Sequence, residues 1–128
     1  MSKKHRNNRR PKTTTVLKKD KFYNVHDGSK KGHPGIITKV DNANNEYQSV
    51  VTETNSNDGK NVPLKHPTDD KVEQSWVKPR PFLGAREDYG NKEYSDMKIH
   101  EDDKKTVDMV NKRKPIKGKW LKKKNPSN

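Results

Sequence analysis

The strongest structural signal in this sequence is a dense group of apolar and β-branched residues between positions 33 and 54. Its two arms are residues 33–40, HPGIITKV, and residues 47–54, YQSVVTET. Val, Ile, Thr and Tyr fit a pleated, half-buried surface, so both arms are typical of β-strands. The intervening DNANN run contains residues that tolerate turn geometry. The pattern predicts a β-hairpin in which Ile36, Thr38 and Val40 share one face.

The rest of the chain is too polar to form a large core. Of its 128 residues 24% are apolar and 37% are charged, which approaches the composition of a disordered chain. We therefore predict one small domain over 21–114, with disordered basic arms over 1–20 and 115–128. The absence of cysteine excludes a disulfide framework and a thiolate metal site.

No apolar run in the sequence approaches the roughly 20 residues that span a bilayer. The basic N-terminus also lacks the apolar stretch of a secretory signal. These two features predict a soluble, cytoplasmic protein without a membrane partner.

Local patterns add short strands and one helix to the central hairpin. The helix is indicated by acidic residues in its first turn and basic residues at its end, which match the helix dipole. The segments are a first strand at 21–25, further strands near 61–64, 74–78 and 97–99, and a helix over about 101–113. Several short strands with one C-terminal helix predict a mainly β fold, either a small antiparallel barrel or a curled sheet.

Positive charge is concentrated at the two ends of the chain. Residues 1–22 contain nine Lys and Arg against one acid, and residues 104–128 contain ten against one. Residues 23–103 contain eleven Lys and Arg against fifteen acids, so the middle is slightly acidic although the whole chain carries +13. Cationic ends on a near-neutral body favour a nucleic-acid partner, because neutralising phosphates releases counterions. Solubility alone is the alternative explanation.

The predicted nucleic-acid contacts lie in the two arms, in the polar loop before the hairpin and at two tryptophans. Tryptophan can stack on a base, although Trp76 is equally suited to the core. The sequence does not separate DNA from RNA. The predicted contact residues are Lys3, Lys4, Arg6, Arg9, Arg10, Lys12, Lys30, Lys31, Trp76, Lys117, Lys119, Trp120, Lys122, Lys123 and Lys124.

Motifs for cofactor or metal chemistry are missing from the sequence. The glycines are too irregularly spaced for a phosphate-binding loop. The five histidines, at positions 5, 26, 33, 66 and 100, have no metal-ligand spacing. We therefore expect neither a cofactor nor a metal.

The order of segments over about 21–80 resembles the MazF/PemK-type plasmid-maintenance toxins. The matching features are the FYNV strand at 22–25, a Gly- and charge-rich loop, a basic residue and proline at 33–34 that lead into an apolar strand, a strand ending in Thr at 50–54, and a Ser-aromatic-Val strand at 75–77. The resemblance implies an SH3-like barrel, a homodimer, an antitoxin-like protein partner and metal-independent cleavage of single-stranded RNA.

The same resemblance implies catalytic roles for His33, Thr52 and Thr54. His33 stands where the family has arginine, and Thr52 or Thr54 stands where the family has a hydroxyl residue. Histidine cannot make the bidentate phosphate contact of arginine, but it exchanges a proton near neutral pH.

Three functional hypotheses follow from the sequence. The first is a small SH3-like β-barrel that binds nucleic acid and uses basic arms for phosphate contacts. The second is a metal-independent endoribonuclease of the toxin type. The third is a protein-interaction adaptor whose tails become ordered on assembly, which the acidic middle of the chain suggests.

Overall fold

The structure is a computed structural model that describes residues 15–124, except for the side chain of Lys124. Two short 3-10 helices, Arg86–Asp88 and Glu101–Asp103, complete its regular structure. The strands and α-helices are β1 (Phe22–Val25), β2 (His33–Asp41), β3 (Glu46–Glu53), β4 (Val62–Pro63), β5 (Trp76–Val77), β6 (Phe82–Gly84), β7 (Tyr89–Glu93), α1 (Lys104–Asn111), β8 (Ile116–Lys117) and α2 (Lys119–Lys124).

The predicted hairpin is confirmed as β2 and β3, which pair antiparallel. The predicted distribution of side chains over its two faces is wrong beyond Ile37. The register shifts between Ile37 and Lys39, as in a β-bulge, and the added residue reverses the alternation. Val40 consequently packs with Ile37 rather than with Ile36.

The strands form an open, mainly antiparallel sheet in the order β4-β5-β3-β2-β1-β7. The N-terminal half of β3 also pairs with β6, which in turn pairs with β8 in parallel. The prediction of a closed SH3-like barrel is therefore wrong. At one edge of the sheet β4 has two residues and ends on Pro63, which has no N–H to donate to a further strand.

Both faces of the sheet are covered by apolar side chains. One core cluster comprises Leu17, Tyr23, Val25, Ile37, Tyr47, Val51, Phe82 and Tyr89. The second comprises Phe22, Ile36, Val50, Leu64, Val77, Val107 and Val110. The second cluster includes two residues of α1, so the helix predicted over 101–113 is confirmed as a 3-10 turn followed by α1, and it covers one face of the hairpin.

One predicted strand is absent. Residues 97–99 do not form a strand, although Met97 and Ile99 pack against the second core cluster. The apolar residues that suggested a strand are therefore used for packing rather than for pairing.

The ordered body begins earlier than the predicted boundary at residue 20. Leu17 is buried in the first core cluster, and the backbone N–H of Asp20 donates to the Ile37 carbonyl at 2.8 Å. Residues 1–14 lie outside the described residues, so the predicted contacts at Lys3, Lys4, Arg6, Arg9, Arg10 and Lys12 do as well.

The predicted disordered tail from residue 115 is also wrong as far as residue 124. The N–H groups of Ile116 and Gly118 donate to the carbonyls of Pro81 and Leu83, both at 2.8 Å, and α2 follows. Leu121 of α2 is buried. Among residues 15–124, no helix has both the length and the apolar character needed to cross a membrane.

Candidate functional site

The three predicted catalytic residues line one pocket. His33 begins β2, Thr52 lies near the end of β3, and Thr54 follows that strand. The hairpin pairs these two chain segments, so residues 19 or more positions apart become neighbours. The pocket has a volume of about 290 Å³, and Tyr94 and Met97 contribute to its wall.

His33 is held between two carboxylates. Its Nδ1 atom lies 2.8 Å from Asp27 Oδ2, and its Nε2 atom lies 3.2 Å from Glu53 Oε2. The Asp27 and Glu53 side chains are only 5% and 9% exposed, whereas that of His33 is 27% exposed. Both contacts are hydrogen bonds only when both ring nitrogens carry a hydrogen, that is, when the imidazole is charged.

Lys78 supplies a further positive charge to this cluster. Its Nζ atom lies 2.9 Å from Asp27 Oδ2 and 3.6 Å from Glu53 Oε2. Burial opposes ionisation of Asp27, but hydrogen bonds from Lys78, His33 and Ser29 outweigh it and hold the pKa of Asp27 well below its usual value. We name Asp27, His33, Glu53 and Lys78 the charge cluster.

The hydroxyl groups of the pocket are less suited to chemistry than the sequence implied. Thr52 Oγ1 donates its hydrogen bond to the Pro34 carbonyl at 2.9 Å, which is a strand-stabilising contact. Thr54 is exposed. When His33 is neutral, two carboxylates against one lysine give the cluster a net negative charge, which opposes a phosphate.

Sequence reasoning missed three of the four members of the charge cluster. Asp27 stands before a glycine, as in a turn, and Glu53 and Lys78 stand at the ends of predicted strands. A single charged residue at the end of a strand does not indicate a charge cluster. Glu53 ends β3 and Lys78 follows β5, and the pairing of these two strands brings the two residues together.

The predicted nucleic-acid contacts that the structure describes lie in the loop between β1 and β2, on β5, and on β8 and α2. Lys30 and Lys31 are exposed in the loop between β1 and β2, and Trp76 is half-buried on β5. The larger group lies on β8 and α2, where the side chains of Lys117, Lys119, Lys122 and Lys123 are exposed. We name residues 112–124 the basic segment, since it holds eight Lys and Arg and no acid.

A buried carboxylate anchors the basic segment. Asp88 accepts hydrogen bonds from the backbone N–H groups of Trp120 at 2.9 Å and Leu121 at 3.0 Å, at the start of α2. It also accepts one from the Ala85 N–H at 2.8 Å. The acid thus binds backbone amides at the positive end of a helix rather than lysine side chains.

The described cationic side chains of the basic segment, which exclude that of Lys124, form no ion pair with a carboxylate of residues 15–124. Within residues 15–124, lysine ion pairs involve Lys78 and Lys104 and none of the four exposed lysines of β8 and α2. Arg113 donates to the Pro79 carbonyl, and Arg80 donates to the carbonyls of Lys114 and Pro115. These bonds hold the guanidinium groups in place and leave their charge uncompensated.

Trp120 is half-buried beneath two lysine side chains. The Nζ atoms of Lys119 and Lys123 lie 5.8 and 4.8 Å from the centre of its ring, within the range of cation–π attraction. The predicted role of Trp120 in stacking a base stays a prediction.

Two of the histidines lie together in the structure although they have no metal-ligand spacing in the sequence. The rings of His66 and His100 stack with their centres 3.7 Å apart, beside Asp102. These two residues are far apart in sequence, so no spacing rule indicated their contact.

Comparison of the chain with protein-family models, curated proteins and solved structures gives no match. The functional argument therefore depends on the residues of this chain and their geometry.

Proposed function

We propose that this protein binds nucleic acid through the basic segment. The observation that carries the proposal is an ordered run, 112–124, with eight cations, no acid and exposed lysines that have no carboxylate partner within residues 15–124. A polyanion binds favourably to a surface on which positive charge is concentrated in this way.

The anchoring of the segment strengthens this proposal. A flexible lysine tail loses conformational entropy when it binds, whereas β8 and α2 are already paired and docked. The backbone contacts to Asp88, Pro81 and Leu83 hold the segment without using its ammonium groups. The N-terminal 14 residues add six Lys and Arg and no acid, which further favours a polyanion.

A salt titration tests the proposal. We expect the logarithm of the affinity for duplex DNA or for RNA to fall steeply with the logarithm of the salt concentration. Replacing Lys117, Lys119, Lys122 and Lys123 with Gln should reduce the slope for duplex DNA by about 3–4, since each neutralised phosphate contributes about 0.9. Fluorescence anisotropy at several salt concentrations measures both slopes.

The control carries the same change in charge at other exposed positions. It replaces four lysines outside the basic segment with Gln, namely Lys60, Lys71, Lys92 and Lys98. An equal loss of slope in the control, or an affinity that does not depend on salt, would contradict the proposal.

A second candidate function is the endoribonuclease. It is supported by one observation, that His33, Thr52 and Thr54 line a common pocket. The side chain of His33 is 27% exposed, so a bound RNA can reach it, and an imidazole is able to take the proton of a 2′-hydroxyl as this cleavage requires. The negative charge of Asp27 and Glu53 opposes a phosphate, which places this function second.

Incubation with single-stranded RNA in EDTA tests the second candidate. If His33 acts as an acid or base, His33→Ala should slow cleavage by about 100-fold or more. The matched control is His26→Ala, because His26 is exposed in the loop that precedes β2. RNA that stays intact with the parent protein, or equal cleavage by His33→Ala, would exclude the function.

A further inference from the structure

Two histidines and one aspartate meet beside the start of α1. His66 Nε2 lies 2.9 Å from Asp102 Oδ2, and His100 Nδ1 lies 3.6 Å from the same oxygen. One ligand atom from each of the three side chains lies within 4.8 Å of the other two. All three side chains are at least 39% exposed, so an ion can reach them from solvent.

A fourth residue holds the two chain segments together independently of the histidine rings. Asp103 is buried, and its carboxylate accepts hydrogen bonds from the backbone N–H groups of Lys65 at 2.7 Å and His66 at 3.0 Å. His66 and Asp102 are therefore brought to one place by a backbone frame that does not depend on their own contact. A frame of this kind positions ligand side chains before an ion arrives.

We propose that His66, His100 and Asp102 bind a divalent transition-metal ion, with Zn²⁺ as the ion that fits best. Two imidazoles and one carboxylate are a common three-ligand set for zinc, with water in the remaining position. Imidazole nitrogen also distinguishes this set from the all-oxygen sites of Ca²⁺ and Mg²⁺.

Binding requires a small movement of the side chains. The two rings stack at an interplanar angle of 19°, so their nitrogen lone pairs lie in nearly parallel planes and do not converge on one point. His100 Nδ1 also accepts a hydrogen bond from the Asp102 backbone N–H at 3.0 Å, which coordination through that nitrogen would break. At Zn–N distances of about 2.0–2.1 Å, neighbouring ligands of a tetrahedral ion lie about 3.4 Å apart, so the rings must tilt and close by roughly an ångström. Exposed side chains make such rotations readily.

Titration of the untagged full-length protein with Zn²⁺, followed by calorimetry, tests the site. We expect one ion per chain, and we expect His66→Ala and His100→Ala each to weaken binding at least about tenfold. His26→Ala is the matched control and should leave the affinity unchanged. Saturating Zn²⁺ should raise the Tm of the parent protein and leave that of the double variant His66→Ala/His100→Ala unchanged, because only a bound ion stabilises the folded state.

A spectroscopic readout needs no variant. With ¹⁵N-labelled histidine, Zn²⁺ should shift the ring nitrogens of His66 and His100 and leave those of His26 and His33 in place. Shifts confined to other histidines would overturn the proposal, as would a double variant that binds Zn²⁺ as tightly as the parent.

Discussion

Replacement of Asp88 by alanine is expected to lower the free energy of unfolding by about 3–5 kcal/mol, since each buried N–H left without a partner costs about 1–3 kcal/mol. Asp88 is fully buried and accepts hydrogen bonds from Ala85, Trp120 and Leu121. Two of these donors begin α2, so the variant should also release residues 116–124 from the sheet. Urea unfolding measures the free energy of unfolding. Faster amide hydrogen exchange in β8 and α2 would show that residues 116–124 are released from the sheet.

The control for this prediction is Asp108→Ala on the exposed face of α1. It removes the same carboxylate from a helix where alanine is the better helix former, so its stability should stay within about 0.5 kcal/mol of the parent. An independent variant, Gly118→Ala, should act like Asp88→Ala, because the new Cβ would lie 2.5 Å from Asp88 Cγ. Equal stability of Asp88→Ala and Asp108→Ala would show that the carboxylate does not anchor α2.

Replacement of Lys78 by methionine is expected to lower the free energy of unfolding by about 2–3 kcal/mol at pH 7, because it removes one cation from two buried carboxylates. Lys78 contacts Asp27 and Glu53, and its own side chain is 26% exposed, which reduces the effect below that of a fully buried pair. His33 is then the only other member of the charge cluster beside the two carboxylates. Urea unfolding between pH 3 and pH 7 measures the loss.

The loss should depend on pH in a definite direction. The pKa of Asp27 is lower in the folded protein than its ordinary value of 3.8, so ionised Asp27 stabilises the fold above that pH and the stabilisation is lost as the pH falls through the lower folded value. Without the Lys78 hydrogen bond the folded pKa is depressed less. The difference between variant and parent should therefore be largest near neutral pH and should narrow below pH 3.8.

Lys92→Met is the matched control, since Lys92 is exposed on β7. It should unfold like the parent at every pH. The assignment of Lys78 as the partner of the two carboxylates would be contradicted if Lys78→Met and the parent had equal free energies of unfolding at pH 7. It would also be contradicted if the difference between them increased as the pH is lowered.

The two variants also separate the two candidate functions. Asp88→Ala should weaken binding to nucleic acid, because it frees the basic segment, and should leave the pocket at His33 intact. Lys78→Met changes the pocket and does not touch the basic segment.

Local patterns predicted the elements whose stabilising contacts are close in sequence. The hairpin arms, the FYNV strand and the helix over 101–113 depend on alternation, turn residues and end charges, all of which are visible in a short window. The bulge after Ile37 has no such signal. The bulge adds one residue to a regular alternation of apolar and polar side chains. Its effect appears only in the structure, where Val40 packs against the first core cluster.

The tail shows the limit of composition as a guide. A run as basic as 112–124 is typical of disorder, and the sequence does not show which residues its apolar side chains, Ile116, Trp120 and Leu121, contact. Its order comes from Asp88 and from the carbonyls of Pro81 and Leu83, some 30 residues earlier. Arg86 likewise depends on contacts that no local pattern shows. Its buried guanidinium donates to the carbonyl of Tyr89, three residues later, and to that of Thr15, far earlier in the chain.

The sequence by itself determined the charge distribution, the central hairpin and the main helix, because these properties follow from composition and from contacts between near neighbours. Only the tertiary structure decided that the sheet stays open, that the basic segment is ordered, that Asp27, His33, Glu53 and Lys78 meet, and that His66 and His100 stack. Each of these depends on pairs of residues far apart in the chain, and their contact is fixed by strand pairing and by buried carboxylates rather than by any local pattern.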